Sequence, residues 1–177
     1  GVMRNILAHY GIKEQDEEHN TFINERIELQ QRIIKLMLEL GIYPVLDGFK
    51  GYVPNEIKKT VKKAQFVDGG IWQGTPKEPF IKLGDPFFKE FGKVFYEEQK
   101  KLYGNQTFID ADPIVEGSAP EGASFGDLGK QIQDLVLEAY PNATWVLQGW
   151  QNNPRPELLD KANKDRTLIL DLWCEVK

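Results

Sequence analysis

The stretch DPFFKEFGKVFYEEQKKLYGNQTFIDAD, residues 85–112, carries the pattern that decides the fold. Asp85 and Pro86 are a typical helix N-cap and first-turn proline. The apolar residues that follow recur at helical spacing: Phe87, Phe88, Phe91, Phe95 and Leu102. Residues 107–111 then form a short apolar run with the composition of a strand, and Asp112 follows it. The stretch therefore predicts one helix followed by one strand that ends in carboxylates.

The same unit recurs along the chain. The predicted helices are Phe22–Leu40, which follows the polar residues Asn20 and Thr21, Leu128–Ala139, and a shorter one around Pro156–Asn163. The predicted strands are Tyr43–Asp47, Thr107–Ala111, Thr144–Gln148 and Thr167–Leu172. Short, continuously apolar strands that alternate with helices indicate a parallel sheet covered by helices, which is the α/β class.

Polar residues stand at the end of each predicted strand: Asp47, Asp110 with Asp112, Gln148 and Asp171. Ligand sites of α/β folds lie at this edge, in a (β/α)8 barrel or at the switch point of an open sheet. The chain has neither G-x-G-x-x-G nor a P-loop sequence, which favours the barrel. Because four strands are half of a barrel of about 250 residues, we expect residues 1–177 to be a single partial domain.

Composition excludes several classes of protein and partner. With 41% hydrophobic and 28% charged residues, the chain has the balance of a globular domain. The net charge is −5, and the one basic cluster, residues 58–63, contains no aromatic residue, so a nucleic-acid partner is not expected. No apolar run approaches the roughly 18 residues of a membrane span. His9 and His19 have no cysteine nearby, so no metal site is predicted.

The acid cluster DADPIVEGS, residues 110–118, suggests a catalytic group. Glu116 follows the second predicted strand, in a loop at the edge where α/β enzymes hold catalytic side chains. Trp72, Trp150 and Trp173 fall near the same edge, and sugar rings stack on such aromatic faces. Cleavage of a glycosidic bond needs a carboxylic acid that protonates the leaving oxygen and a second carboxylate. From spacing alone, the favoured interpretation of Glu116 is a solvated loop residue or a partner of the following helix dipole, and the catalytic interpretation depends on the neighbouring residues.

Several segments together resemble the catalytic barrel of the α-N-acetylglucosaminidases, glycoside hydrolase family 89. They occur in that family's order over nearly the whole chain, from about residue 20 to residue 176. The segments are GIYPVLDGFKGYVP, GGIWQG, GDPFFKEFGKVFYEEQKKLYG, DPIVEG, WVLQGWQ and LILDLWCEV.

This resemblance implies a partial (β/α)8 TIM-type barrel, roughly its strands three to six with their helices, and thus the central part of a catalytic barrel. It implies a retaining exo-hydrolase that removes terminal α-linked N-acetylglucosamine from glycans or glycosaminoglycans, without metal or organic cofactor. Glu116 in DPIVEG matches the general acid/base. Trp72 in GGIWQG and Trp150 in LQGW match positions that line the sugar pocket.

The resemblance also implies what this chain lacks. The family's nucleophilic glutamate corresponds to a position beyond Lys177, and Glu121, five positions after Glu116, is interpreted as a loop residue. The chain alone is therefore expected to be inactive, with the missing half of the barrel as its partner. Family members are commonly secreted, periplasmic or lysosomal. Two other interpretations stay open: a non-catalytic carbohydrate-binding α/β fragment, and a half-domain without a function of its own.

Overall fold

In the computed structural model of this protein, residues 1–13, 16–114 and 119–172 are described. The helices are α1 (Val2–His9), α2 (Glu17–Glu39), α3 (Ile57–Thr60), α4 (Pro86–Tyr103) and α5 (Phe125–Ala139). The strands are β1 (Val45–Asp47), β2 (Phe66–Val67), β3 (Ile71–Trp72), β4 (Thr75–Pro76), β5 (Phe80–Ile81), β6 (Phe108–Asp110), β7 (Thr144–Gly149) and β8 (Thr167–Asp171). Two short 3-10 helices, Pro156–Leu159 and Lys164–Arg166, lie between β7 and β8.

Four strands form one parallel sheet in the order β1-β6-β7-β8, which confirms the four predicted strands and the α/β class. Asp47 lies opposite Asp110 in the first pair, and Gly149 lies opposite Asp171 in the last. Each connection returns the chain to the amino end of the next strand. All four strands therefore present their carboxyl ends, and the polar residues there, at one edge of the sheet.

Helix starts follow local capping chemistry. The Asp85 carboxylate accepts a hydrogen bond of 2.9 Å from the Phe87 backbone N–H, so α4 begins as predicted. The predicted start of the preceding helix at Phe22 is wrong, since α2 begins at Glu17. Its N-cap is Asp16, whose carboxylate accepts a bond of 3.0 Å from the Glu18 N–H and places residues 20 and 21 inside the helix.

The core lies between the sheet and its helices and is rich in aromatic rings. Phe88 and Phe91 on α4 are fully buried, and their rings lie 5.1 and 5.2 Å from the Phe49 ring, which follows β1. On α5, a Cβ at Gly129 would stand 2.0 Å from the Leu158 carbonyl oxygen. Only glycine permits this close approach of the first 3-10 helix, which helps to fix α5 against the segment after β7.

Some elements differ from the prediction. The expectation of a helix around residues 156–163 is wrong, because residues 156–159 form a short 3-10 helix anchored by buried Leu158, and the second 3-10 helix follows only at residues 164–166. Helix α1 was not predicted, nor were the antiparallel pairs β2-β5 and β3-β4 in the connection from β1 to α4. Strands of two residues are too short to show a period. None of the helices in the described ranges has the length and apolar character needed to cross a bilayer.

Candidate functional site

Three of the predicted polar strand ends meet in one cluster at the carboxyl edge of the sheet. The Lys50 ammonium, in the turn after β1, lies 2.7 Å from a carboxylate oxygen of Asp47 and 3.9 Å from one of Asp110. The other Asp110 oxygen accepts a hydrogen bond of 2.8 Å from the Gln148 side-chain amide at the end of β7. Adjacent strands β1, β6 and β7 are therefore joined at their ends through side chains.

Lys50 is the cluster's cation, and sequence reasoning missed it. Burial by itself would lower the pKa of Lys50, but the carboxylates of Asp47, Asp110 and Asp112 outweigh burial and raise it above its ordinary value of 10.5. The ammonium thus stays charged at neutral pH. Its only sequence signal is its place three residues after Asp47, in a loop that follows a strand.

Asp112 is the most deeply buried acid of the cluster, with 1% of its surface exposed. One carboxylate oxygen accepts a bond of 3.1 Å from the Ile114 backbone N–H, and the other accepts one of 3.2 Å from the Gln148 backbone N–H. Burial raises the pKa of Asp112 above its ordinary 3.8. The two N–H groups oppose this rise, Asp110 adds to it, and Lys50 opposes it, leaving the pKa raised.

The strand ends are also tied to the core beneath them. The indole N–H of Trp145, a fully buried residue of β7, donates a bond of 3.1 Å to the Ala111 carbonyl. The Gln99 amide on α4 donates one of 2.7 Å to the Asp47 carbonyl, and the Tyr140 hydroxyl donates one of 3.0 Å to Gln99. Backbone groups that leave the sheet at this edge are thus held by buried partners, as a rigid site requires.

Two of the predicted site residues lie in connections at this edge. Trp72 belongs to the β3-β4 hairpin, between β1 and α4, and 45% of its surface is exposed. Gln73 and Gly74 both have positive φ, 47° and 80°, which is typical of a tight two-residue hairpin turn. Trp150 directly follows β7 and forms a bridge with Asn153.

Glu116, the predicted acid/base, lies outside the described residues, as does Trp173. The described chain on either side of Glu116 is anchored. Before it, Asp112 binds the Ile114 N–H. After it, the exposed Glu121 donates its backbone N–H to the Asp68 carbonyl at 3.1 Å, close in sequence to the Trp72 hairpin. Within the parts that the structure describes, no group of three or more His, Cys, Asp or Glu side chains is placed to hold a metal ion.

The parallel sheet, its helices and the polar cluster at the carboxyl edge define a partial (β/α)8-type domain with its candidate site in the βα connections. The model of the α-N-acetylglucosaminidase (NAGLU) TIM-barrel domain family matches residues 3–177. The chain belongs to this family.

Curated and solved relatives agree with the assignment. Human α-N-acetylglucosaminidase is 25% identical over 166 residues, which are 85% of this chain and 22% of the human protein. A family 89 glycoside hydrolase from Clostridium perfringens in complex with PUGNAc is 34% identical with a TM-score of 0.80, over 86% of this chain and 18% of that one. The enzyme in complex with its substrate GlcNAc-α-1,4-galactose is 33% identical with a TM-score of 0.83, over 89% and 19%. The chain spans about a fifth of the length of these relatives.

Proposed function

We propose that this chain is part of the catalytic barrel of a retaining exo-glycosidase that hydrolyses terminal α-linked N-acetylglucosamine. The supporting observation is the connection after β6, which leaves the sheet at the carboxyl edge, contains Glu116 and is anchored on both sides of it. The chain also belongs to a family with a solved member that binds GlcNAc-α-1,4-galactose. That relative is a variant with two glutamates replaced by glutamine, which fits a reaction carried out by two glutamates.

Glu116 is the general acid/base of the proposed reaction. Its carboxylic acid protonates the glycosidic oxygen while a second glutamate, outside this chain, attacks the anomeric carbon and forms a glycosyl-enzyme. The resulting Glu116 carboxylate then takes a proton from water, which attacks the anomeric carbon and releases the sugar with its original configuration. Trp72 and Trp150 lie in the two connections that flank the β6 connection on the sheet and supply apolar walls for the sugar.

The remaining strands of the same barrel are the proposed partners of this chain. The outer strand β8 exposes apolar side chains on both faces, since Leu168, Ile169 and Leu170 are each about 40% exposed. Helix α2 carries an exposed apolar face as well, made of Phe22, Leu29, Ile33 and Leu36. Open parallel edges and apolar faces of this kind are covered in a closed barrel, where no edge remains. Residues 1–177 are thus proposed as one partial domain.

Hydrolysis by the complete protein tests the proposal directly. We expect release of N-acetylglucosamine from an aryl α-N-acetylglucosaminide and none from the matched β-anomer. Proton NMR of the first product should show the α-anomer before mutarotation, because two displacements retain the configuration. Binding of the sugar without turnover would instead identify a carbohydrate-binding protein, and an initial β-product would rule out retention.

Exposed Trp72 provides a test of the sugar site. We expect Trp72→Ala in the complete protein to lower kcat/KM by about tenfold or more, which corresponds to about 1.4 kcal/mol, through loss of the stacking surface. Tyr43→Ala is the matched control, because Tyr43 is also an exposed aromatic residue but precedes β1, at the opposite edge of the sheet. Equal losses for the two variants would remove Trp72 from the proposed site.

A further inference from the structure

We infer that Asp112 is a positioning residue, which sets the start of the segment that carries Glu116 at a fixed distance from the segment that carries Trp150. The inference rests on the proposed function and adds to it a residue that does not touch the sugar. Its basis is the pair of backbone hydrogen bonds that the Asp112 carboxylate accepts.

The two carboxylate oxygens of Asp112 bind two different segments, the connection after β6 and the end of strand β7. Oδ1 holds the N–H of Ile114, two positions before Glu116 in the sequence. Oδ2 holds the N–H of Gln148, two positions before Trp150. One buried side chain thus spans the gap between β6 and β7 at the point where both chains leave the sheet.

Two further bonds run parallel to this bridge. The Gln148 side-chain amide donates to Asp110, and the indole N–H of Trp145 donates to the Ala111 carbonyl. In addition, Asp110 accepts a bond of 3.1 Å from the Asp112 backbone N–H. Backbone and side-chain groups at the start of the β6 connection are therefore both bonded to β7. Among these groups, the Asp112 carboxylate is the one that binds Ile114.

The chemistry of the bridge requires a carboxylate at this position. Two backbone N–H groups need two acceptors, and an asparagine of the same size would turn a donor toward one of them. A buried carboxylate is otherwise unfavourable, and here burial does raise its pKa. An apolar side chain would avoid the cost of burying a charge, but it would leave the N–H groups of Ile114 and Gln148 without their acceptor.

Loss of the Asp112 bridge should impair the acid step of the proposed reaction. A general acid works only within hydrogen-bond reach of the leaving oxygen, and a displacement of about 1 Å can reduce the rate about 100-fold. Substrates with poor leaving groups depend on this proton, whereas activated aryl substrates depend on it little. Loss of the bridge should therefore affect the first class of substrate more than the second.

The experiment compares Asp112→Asn and the exposed-surface control Asp160→Asn in the complete protein, on substrates with poor and with activated leaving groups. We expect Asp112→Asn to lower kcat/KM on the poor leaving group by about 10- to 100-fold, with a much smaller loss on the activated one. Asp160→Asn should match the wild type on both. Equal losses on both substrates, in step with a lower thermal midpoint, would show a merely structural role and overturn the inference.

A second variant covers the case in which Asp112→Asn does not fold. Gln148→Leu keeps the backbone N–H but removes the parallel amide bond to Asp110, so a weaker loss with the same substrate dependence is expected. An equal loss on both substrates would again overturn the inference. Glu116→Gln, measured beside these variants, separates the two ideas. If Glu116→Gln loses more activity on poor than on activated leaving groups and the bridge variants do not, only the role of Asp112 is contradicted. If Glu116→Gln itself loses activity equally on both substrates, the proposed function is contradicted.

Discussion

Glu116→Gln in the complete protein should slow hydrolysis of N-acetylglucosaminides with poor leaving groups by about 10²- to 10⁴-fold. Glutamine has nearly the shape of glutamic acid but has no proton to give to the departing oxygen. Substrates with activated aryl leaving groups should lose much less in the first step, because their leaving oxygen is stable as an anion. Steady-state kcat/KM on the two substrate types measures the difference.

Glu121→Gln is the matched control for this substitution. Glu121 is a glutamate of the same connection, five positions later, but it is exposed and is anchored to Asp68 through its backbone. Its activity should stay near that of the wild type on both substrates. An equal loss on both substrates in Glu116→Gln, or a similar loss in Glu121→Gln, would contradict the acid role.

Trp145→Ala should produce the largest loss of stability, about 3–5 kcal/mol in the free energy of unfolding. Trp145 is fully buried in β7, in the middle of the parallel sheet, and its truncation leaves a large cavity between the sheet and the helices. The substitution also removes the indole donor of the Ala111 carbonyl at the end of β6. Chemical denaturation of the complete protein, followed through the transition of this domain, measures the change.

Two variants separate the contributions of volume and hydrogen bond. Trp145→Phe retains most of the buried volume but leaves the Ala111 carbonyl without the indole donor, so a loss of about 1–3 kcal/mol is expected. Trp72→Ala removes the same side chain from an exposed hairpin and should change the free energy of unfolding by no more than about 0.5 kcal/mol. If Trp145→Ala lowers the free energy of unfolding no more than Trp72→Ala does, packing of the Trp145 indole does not stabilise the core.

The fold was largely predictable because its elements are long or strongly patterned. The aromatic spacing after Asp85 predicted α4, and the four apolar runs predicted the four parallel strands. The errors fell where the local signal was weak. Two-residue strands have no measurable period, the segment after Pro156 is short enough for 3-10 geometry, and α2 is capped by Asp16 although Asn20 and Thr21 are also typical capping residues.

The candidate site was predictable only in outline. Polar strand ends indicated the correct edge of the sheet, since in a parallel arrangement all such ends lie together. Lys50 could not be found in this way, because its place three residues after Asp47 is too weak a signal to distinguish it from other loop lysines. The positions of Trp72 and Trp150 in the sugar pocket stay predictions, as does the role of Glu116.

The sequence by itself determined the three long helices and the four strands of the main sheet, that these strands run parallel, and that polar residues stand at their carboxyl ends. These properties follow from periodicity and composition, which act over a few residues. Only the tertiary structure decided that Lys50 pairs with Asp47 and Asp110, and that the Asp112 carboxylate bridges the ends of β6 and β7. The Lys50–Asp110 and Asp112–Gln148 contacts join residues far apart in the chain, and the packing of whole helices against the sheet brings them together, so no local pattern specifies them.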